Sequence, residues 1–141
     1  MMKNPDLLRP GTVLSYPYLW RRQHDTGESE GRKNRPVCVV VAIASNAGET
    51  HLMLLAISTK PPQSAGDAIE IPETERRRAG LNDAVRSWIT ICEYNYDIAE
   101  RSFYLDPTQQ ILGRFSRPFV MQLAESLRPL LAAARGKVDR L

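Results

Sequence analysis

A chain of 141 residues can bury one core but hardly two, so a single domain over residues 1–141 is expected. Its 43% hydrophobic and 25% charged residues place it among ordinary globular proteins and exclude the disordered and fibrous classes. A net charge of +3 excludes a histone-like polycation. No apolar run approaches the roughly 20 residues of a membrane span and residues 1–10 form no apolar leader, so a cytoplasmic protein is expected.

Residues 11–20 carry Thr12, Val13, Leu14, Tyr16, Tyr18 and Trp20 and read as a first strand, with Pro17 weakening its end or placing it at an edge. Residues 21–35 hold scarcely an apolar side chain and read as one long polar loop containing Arg21, Arg22, Arg32, Lys33 and Arg35. Long loops in compact domains tend to be functional, because ordering them costs entropy with no core burial in return. Residues 36–45 are nearly all β-branched or small and apolar, as in a strand buried on both faces or in a closed barrel. A turn at residues 46–49 returns the chain through a third strand over residues 50–59, making an antiparallel hairpin.

Residues 60–67 have the proline and glycine chemistry of a connection, followed by a short strand over residues 68–71. Pro72 and Thr74 open a brief charged helical stretch that stops at Gly80. Residues 84–92 read as a further strand and residues 102–105 as a possible last one. Ser116 has the chemistry of an N-cap, and Phe119, Val120, Leu123, Leu127, Leu130 and Leu131 then recur at helical spacing. This predicts an amphipathic helix over about residues 116–135, kinked or broken near Glu125 and Ser126 by Pro129. The sum is a mainly β (β+α) fold, a small barrel of five to seven strands with a C-terminal helix.

Phosphate-loop, dinucleotide, nucleophile-elbow and zinc-protease motifs are all missing. The two histidines, His24 and His51, have no ligand partner at metal spacing, so neither metal nor cofactor is expected. Cys38 and Cys92 sit in apolar runs and read as buried thiols. Arginines cluster in residues 21–35 and again at Arg76, Arg77 and Arg78; on one shared face they would attract a polyanion.

Because the second and third strands form a hairpin, their far ends meet, which brings Arg35 near Ser58 and Thr59. A guanidinium beside two hydroxyls can cradle a phosphate, since arginine binds phosphate oxygens bidentately. The alternative is that Arg35 pairs with a carboxylate such as Glu30 and the hydroxyls merely end a strand.

Several ordered features resemble the MazF/PemK family of toxin endoribonucleases. Gly11, Thr12, Val13 and Leu14 open the first strand, and Ser29, Glu30, Arg35 and Pro36 match a Ser-Glu-x-x-Gly-x-Arg-Pro pattern. Ser58 and Thr59 are similar to a strand-ending hydroxyl pair, and residues 111–116 resemble the closing segment before the helix. Two positions depart from the pattern. Lys33 stands where the family usually has glycine, and Tyr96 where a Cys-Asp-Gln-x-Arg-Thr segment would have arginine.

The resemblance implies an SH3-like barrel, usually a homodimer, that cleaves single-stranded RNA without metal and is neutralised by a cognate antitoxin protein. It implies Arg35 as the stabiliser of the phosphorane, Ser58 or Thr59 on the phosphate and Glu93 as general base. Arg22, Arg32 and Lys33 would track the RNA backbone, with Trp20 or Tyr18 stacking on a base. A DNA gyrase poison of the same fold, a member that binds RNA or a partner without cutting, and a structural barrel with an ordinary solvated loop are the alternatives.

Overall fold

The computed structural model describes residues 8–28, 33–106 and 108–141. Its first strand, β1 (Thr12–Tyr16), is shorter than the sequence indicates, because Pro17 offers no N–H to continue the ladder. The Tyr18 N–H bonds back to the Tyr16 carbonyl around Pro17, and the chain then enters α1 (Arg21–Asp25) from an extended Trp20, so the long polar segment begins as a helical turn rather than as loop.

Strands β2 (Arg35–Ala44) and β3 (Thr50–Ser58) form the predicted antiparallel hairpin, with Gly48 at a φ of +80° in its turn. Their register runs from Val37 opposite Ala56 to Ala44 opposite Thr50, with a bulge between Val39 and Val41. Strand alternation sends Val37, Val39, Leu54 and Ala56 to one face and Cys38, Val40, Leu55 and Ile57 to the other, and all eight are buried. The unbroken apolar run of β2 therefore reflects burial on both faces.

Among the described residues the sheet has eight strands, ordered β7 (Gly113–Arg114), β1, β2, β3, β5 (Trp88–Thr90), β4 (Ala68–Glu70), with β6 (Tyr94–Ile98) beside β3 and β8 (Lys137–Asp139) beside β6. All pairings are antiparallel except β6 with β8. The outer edge of β3 is divided: its first half, from His51, pairs with β6, and its last two residues pair with β5. This path is open, ending at β7 and β4, and with the C-terminal helix it gives the mainly β, small barrel-like fold that the sequence indicates, with eight described strands in place of five to seven.

One face is covered by α3 (Arg117–Ala132), which inserts Phe119, Leu123, Leu127 and Leu130. The Ser116 hydroxyl accepts from the Phe119 N–H as the expected N-cap, and itself donates to Glu75 of α2 (Glu73–Arg78). No break occurs at Glu125 and Ser126. Glu125 and Pro129 both lie on the exposed side, so water can satisfy the freed carbonyl while the buried leucines hold the helix to the sheet. The other face is closed by residues around Ala99 and Leu105.

Residues 102–105 form no strand. The Ser102 hydroxyl accepts from the N–H groups of Tyr104 and Leu105, fixing a turn instead. Upstream of β5, the predicted strand over residues 84–92 is reduced to three residues, because Arg76 and Asn82 tie the carbonyl of Asp83 and the N–H of Ala84 into turn structure. Arg76 is thus buried and structural, and Arg77 pairs with Glu73 and Asp83, so two of the three arginines of this second cluster are engaged within the fold and Arg78 is exposed. Among the described residues no helix is long and apolar enough to cross a membrane.

Candidate nucleic-acid interface

Residues 17–22 are pinned to β6 by side chains, since Pro17 prevents a ladder there. The Asn95 amide, fully buried, accepts from the Leu19 N–H at 2.9 Å and donates to the Leu19 carbonyl at 2.8 Å. One position from β6, Glu93 Oε1 accepts from the Arg21 N–H and the Tyr18 hydroxyl. Gln23, also buried, takes the Trp20 N–H. These bonds set Trp20 and Arg22 along the rim of a groove of about 910 Å³ that runs past the ends of β2, β3 and β5.

Seven of the nine residues given a role from the sequence line this groove, namely Trp20, Arg22, Lys33, Arg35, Ser58, Thr59 and Glu93, whereas Tyr18 does not. Arg32 lies outside the described residues, as do Ser29, Glu30 and Gly31. A smaller hollow of about 470 Å³ near His24, Phe103 and Arg140 holds none of them.

Extending the β2–β3 register by two residues sets Arg35 opposite Ser58. The Arg35 and Arg22 guanidiniums lie 5.1 and 5.2 Å from the centre of the Trp20 ring. Neither these arginines nor Lys33 forms an ion pair with a described carboxylate, and Arg35 Nε is buried with no hydrogen-bond partner among the described residues. Burial, and then the nearby charge of Arg22, pushes the Arg35 pKa below its ordinary value, against an opposing contribution from Tyr18. Two guanidiniums gathered at one ring, neither in an ion pair with a described carboxylate, give this end of the groove an affinity for anions.

The Ser58 hydroxyl oxygen accepts from the Lys60 N–H, which leaves its own hydrogen to donate. Thr59 is exposed beside it. Burial raises the Glu93 pKa, opposed by its bonds to Arg21 and Tyr18 and by the charges of Arg22 and Arg21. Both hydrogen bonds fall on Oε1, so Oε2 has no partner of its own among the described residues.

Other expectations change. Tyr18 is 1% exposed and cannot stack on a base. Tyr96 lies outside the groove, bonded to His51 and beneath Lys137. Asp97 is a buried acceptor for Tyr16 and Ser102 within β6. Cys38 is buried as expected, whereas Cys92 is exposed and lines the groove, its thiol pKa raised first by burial. No group of three or more His, Cys, Asp or Glu among the described residues could hold a metal ion.

Lys60 and Trp88, which carry no recognised role in the sequence, also line the groove. Lys60 had a signal, a cation directly after the hydroxyl pair. Trp88 reads in the sequence only as an apolar residue of the strand over residues 84–92. No protein-family model and no curated protein matches this chain.

Proposed function

We propose that the groove binds single-stranded RNA and that the chain cleaves it without a metal, acting as the growth-inhibiting toxin of a toxin–antitoxin pair. The observation that carries this reading is the convergence of Arg35, Ser58 and Glu93 on one groove that also holds Trp20. A flanking guanidinium and hydroxyl suit one phosphate, and the aromatic ring suits a neighbouring base.

In this scheme Glu93 Oε2 takes the proton of a ribose 2′-hydroxyl, and the 2′-oxygen forms a bond to the adjacent phosphorus. Arg35 and the Ser58 or Thr59 hydroxyl stabilise the extra negative charge of the phosphorane. The bond from phosphorus to the 5′-oxygen breaks, that oxygen takes a proton from Arg35 or solvent, and a cyclic phosphate and a free 5′-hydroxyl result. The raised pKa of Glu93 makes its carboxylate a stronger base than an ordinary surface acid.

The cations of the rim would equally receive an acidic antitoxin segment, which would block the groove. A homodimer belongs to the same reading. Binding without cleavage is the second reading, favoured by the two bonds that already occupy Glu93 Oε1 and by the absence of Tyr96 from the groove. Incubating the protein with mixed-sequence RNA in EDTA, beside an Arg35→Ala form, separates the two. Fragments from the wild type alone support the nuclease, and binding with no fragments from any RNA supports the binder.

A further inference from the structure

We infer that Trp88 forms a second base-stacking subsite in the same groove, next to the phosphate cradle, so that a single strand is held by a base on this side of Arg35 as well as at Trp20. The inference rests on the reading of the groove as a single-strand site and adds a residue that this reading does not use.

The sheet itself aligns the parts. Ser58 pairs with Trp88, Trp88 pairs with Glu70, and the extended β2–β3 register puts Arg35 opposite Ser58. Arg35, Ser58, Trp88 and Glu70 therefore form one row across four strands. Arg35 stands two residues before Val37 and Ser58 two after Ala56, both on the face away from α3. Trp88 precedes Ile89, which packs on the α3 side, so Trp88 also belongs to the opposite face. Two strand spacings separate Arg35 from Trp88, roughly 10 Å between their Cα atoms.

The surroundings of Trp88 suit a base and not a phosphate. The Arg86 guanidinium lies 5.1 Å from the centre of the indole ring. Glu70 holds Arg86 through two hydrogen bonds of 2.8 and 2.9 Å, which fix its plane and cancel its charge. A neutralised guanidinium backing a half-buried indole offers a flat aromatic platform with little attraction for an anion, whereas Arg22, Lys33 and Arg35, which also line the groove, make no ion pair with a described carboxylate. Stacking of this kind tolerates any base, because every base has a π-face.

Trp20 and Trp88 are the only two tryptophans of the chain, and both line the groove, so intrinsic fluorescence reports each subsite separately. The test uses Trp20→Phe, in which Trp88 is the sole emitter, titrated with a short RNA oligonucleotide and with an abasic oligonucleotide of equal charge. Anisotropy of a labelled oligonucleotide measures binding independently. Quenching of Trp88 by the RNA but not by the abasic strand is expected. Trp88→Ala should weaken RNA binding roughly five- to 150-fold while leaving abasic binding unchanged. RNA that binds by anisotropy with unchanged Trp88 emission would overturn the subsite and leave the groove reading intact. Failure of every form, wild type included, to bind either strand would overturn both.

Discussion

Asn95 is the side chain whose loss should most directly unlatch the site from the fold. It is fully buried, and its amide makes both hydrogen bonds to Leu19, which is itself 1% exposed. In Asn95→Ala the Leu19 N–H and carbonyl would stay buried with nothing to replace the amide. Each such orphan costs about 1–3 kcal/mol, so a loss of about 3 kcal/mol is expected for the pair. That is a large part of the 5–15 kcal/mol typical of a domain, and corresponds to a fall in Tm of roughly 10 °C. Urea unfolding followed by circular dichroism measures the loss, and Trp20 emission should shift to longer wavelength as its segment loosens. Asn95→Asp sharpens the test. Its carboxylate can accept from Leu19 but cannot donate, so stability should recover in part as acid protonates it. A loss below about 1 kcal/mol in Asn95→Ala would refute the idea that this amide holds the segment.

Glu93→Gln should abolish cleavage while keeping an acceptor for Arg21 and Tyr18. Because burial raises the folded pKa of Glu93, folding favours its protonated form. The wild type should match the glutamine variant below the ordinary carboxylate pKa and lose stability relative to it as pH rises through the raised value, as thermal melts across pH would record. Gly113→Ala should destabilise by several kcal/mol or prevent folding, because a Cβ would sit 2.4 Å from the Arg78 carbonyl oxygen, and expression with thermal melting checks it. Arg22→Ala should flatten the dependence of RNA affinity on salt by about 0.7 in a log–log plot, the share of one single-strand phosphate contact. An unchanged slope would remove Arg22 from the interface.

Much of the framework is legible because local chemistry and packing agree. The apolar run of β2, the Gly48 turn and the Ser116 cap each specify their element without help from distant residues. Strand β6 escapes such reading. Its alternating Asn95 and Asp97 look like exposed polar positions, yet both are buried and satisfied by Leu19, Tyr16 and Ser102, partners that sequence spacing does not reveal. Strand β8 is only three residues long and exists by pairing with β6. For the groove, hairpin geometry alone brought Arg35 to Ser58. The nearness of Trp88 depends on β5 pairing with the end of β3, after β6 has taken its first half, and no local pattern encodes that division. Arg76 shows the reverse case, a residue that reads as surface charge and serves as a buried clamp.

The chemistry of RNA fragment ends tests the central claim most directly. Wild-type protein incubated with RNA in EDTA should yield fragments whose masses show a cyclic phosphate on one side and a 5′-hydroxyl on the other, with Arg35→Ala yielding none. Intact RNA, or fragments bearing 5′-phosphates, would contradict it.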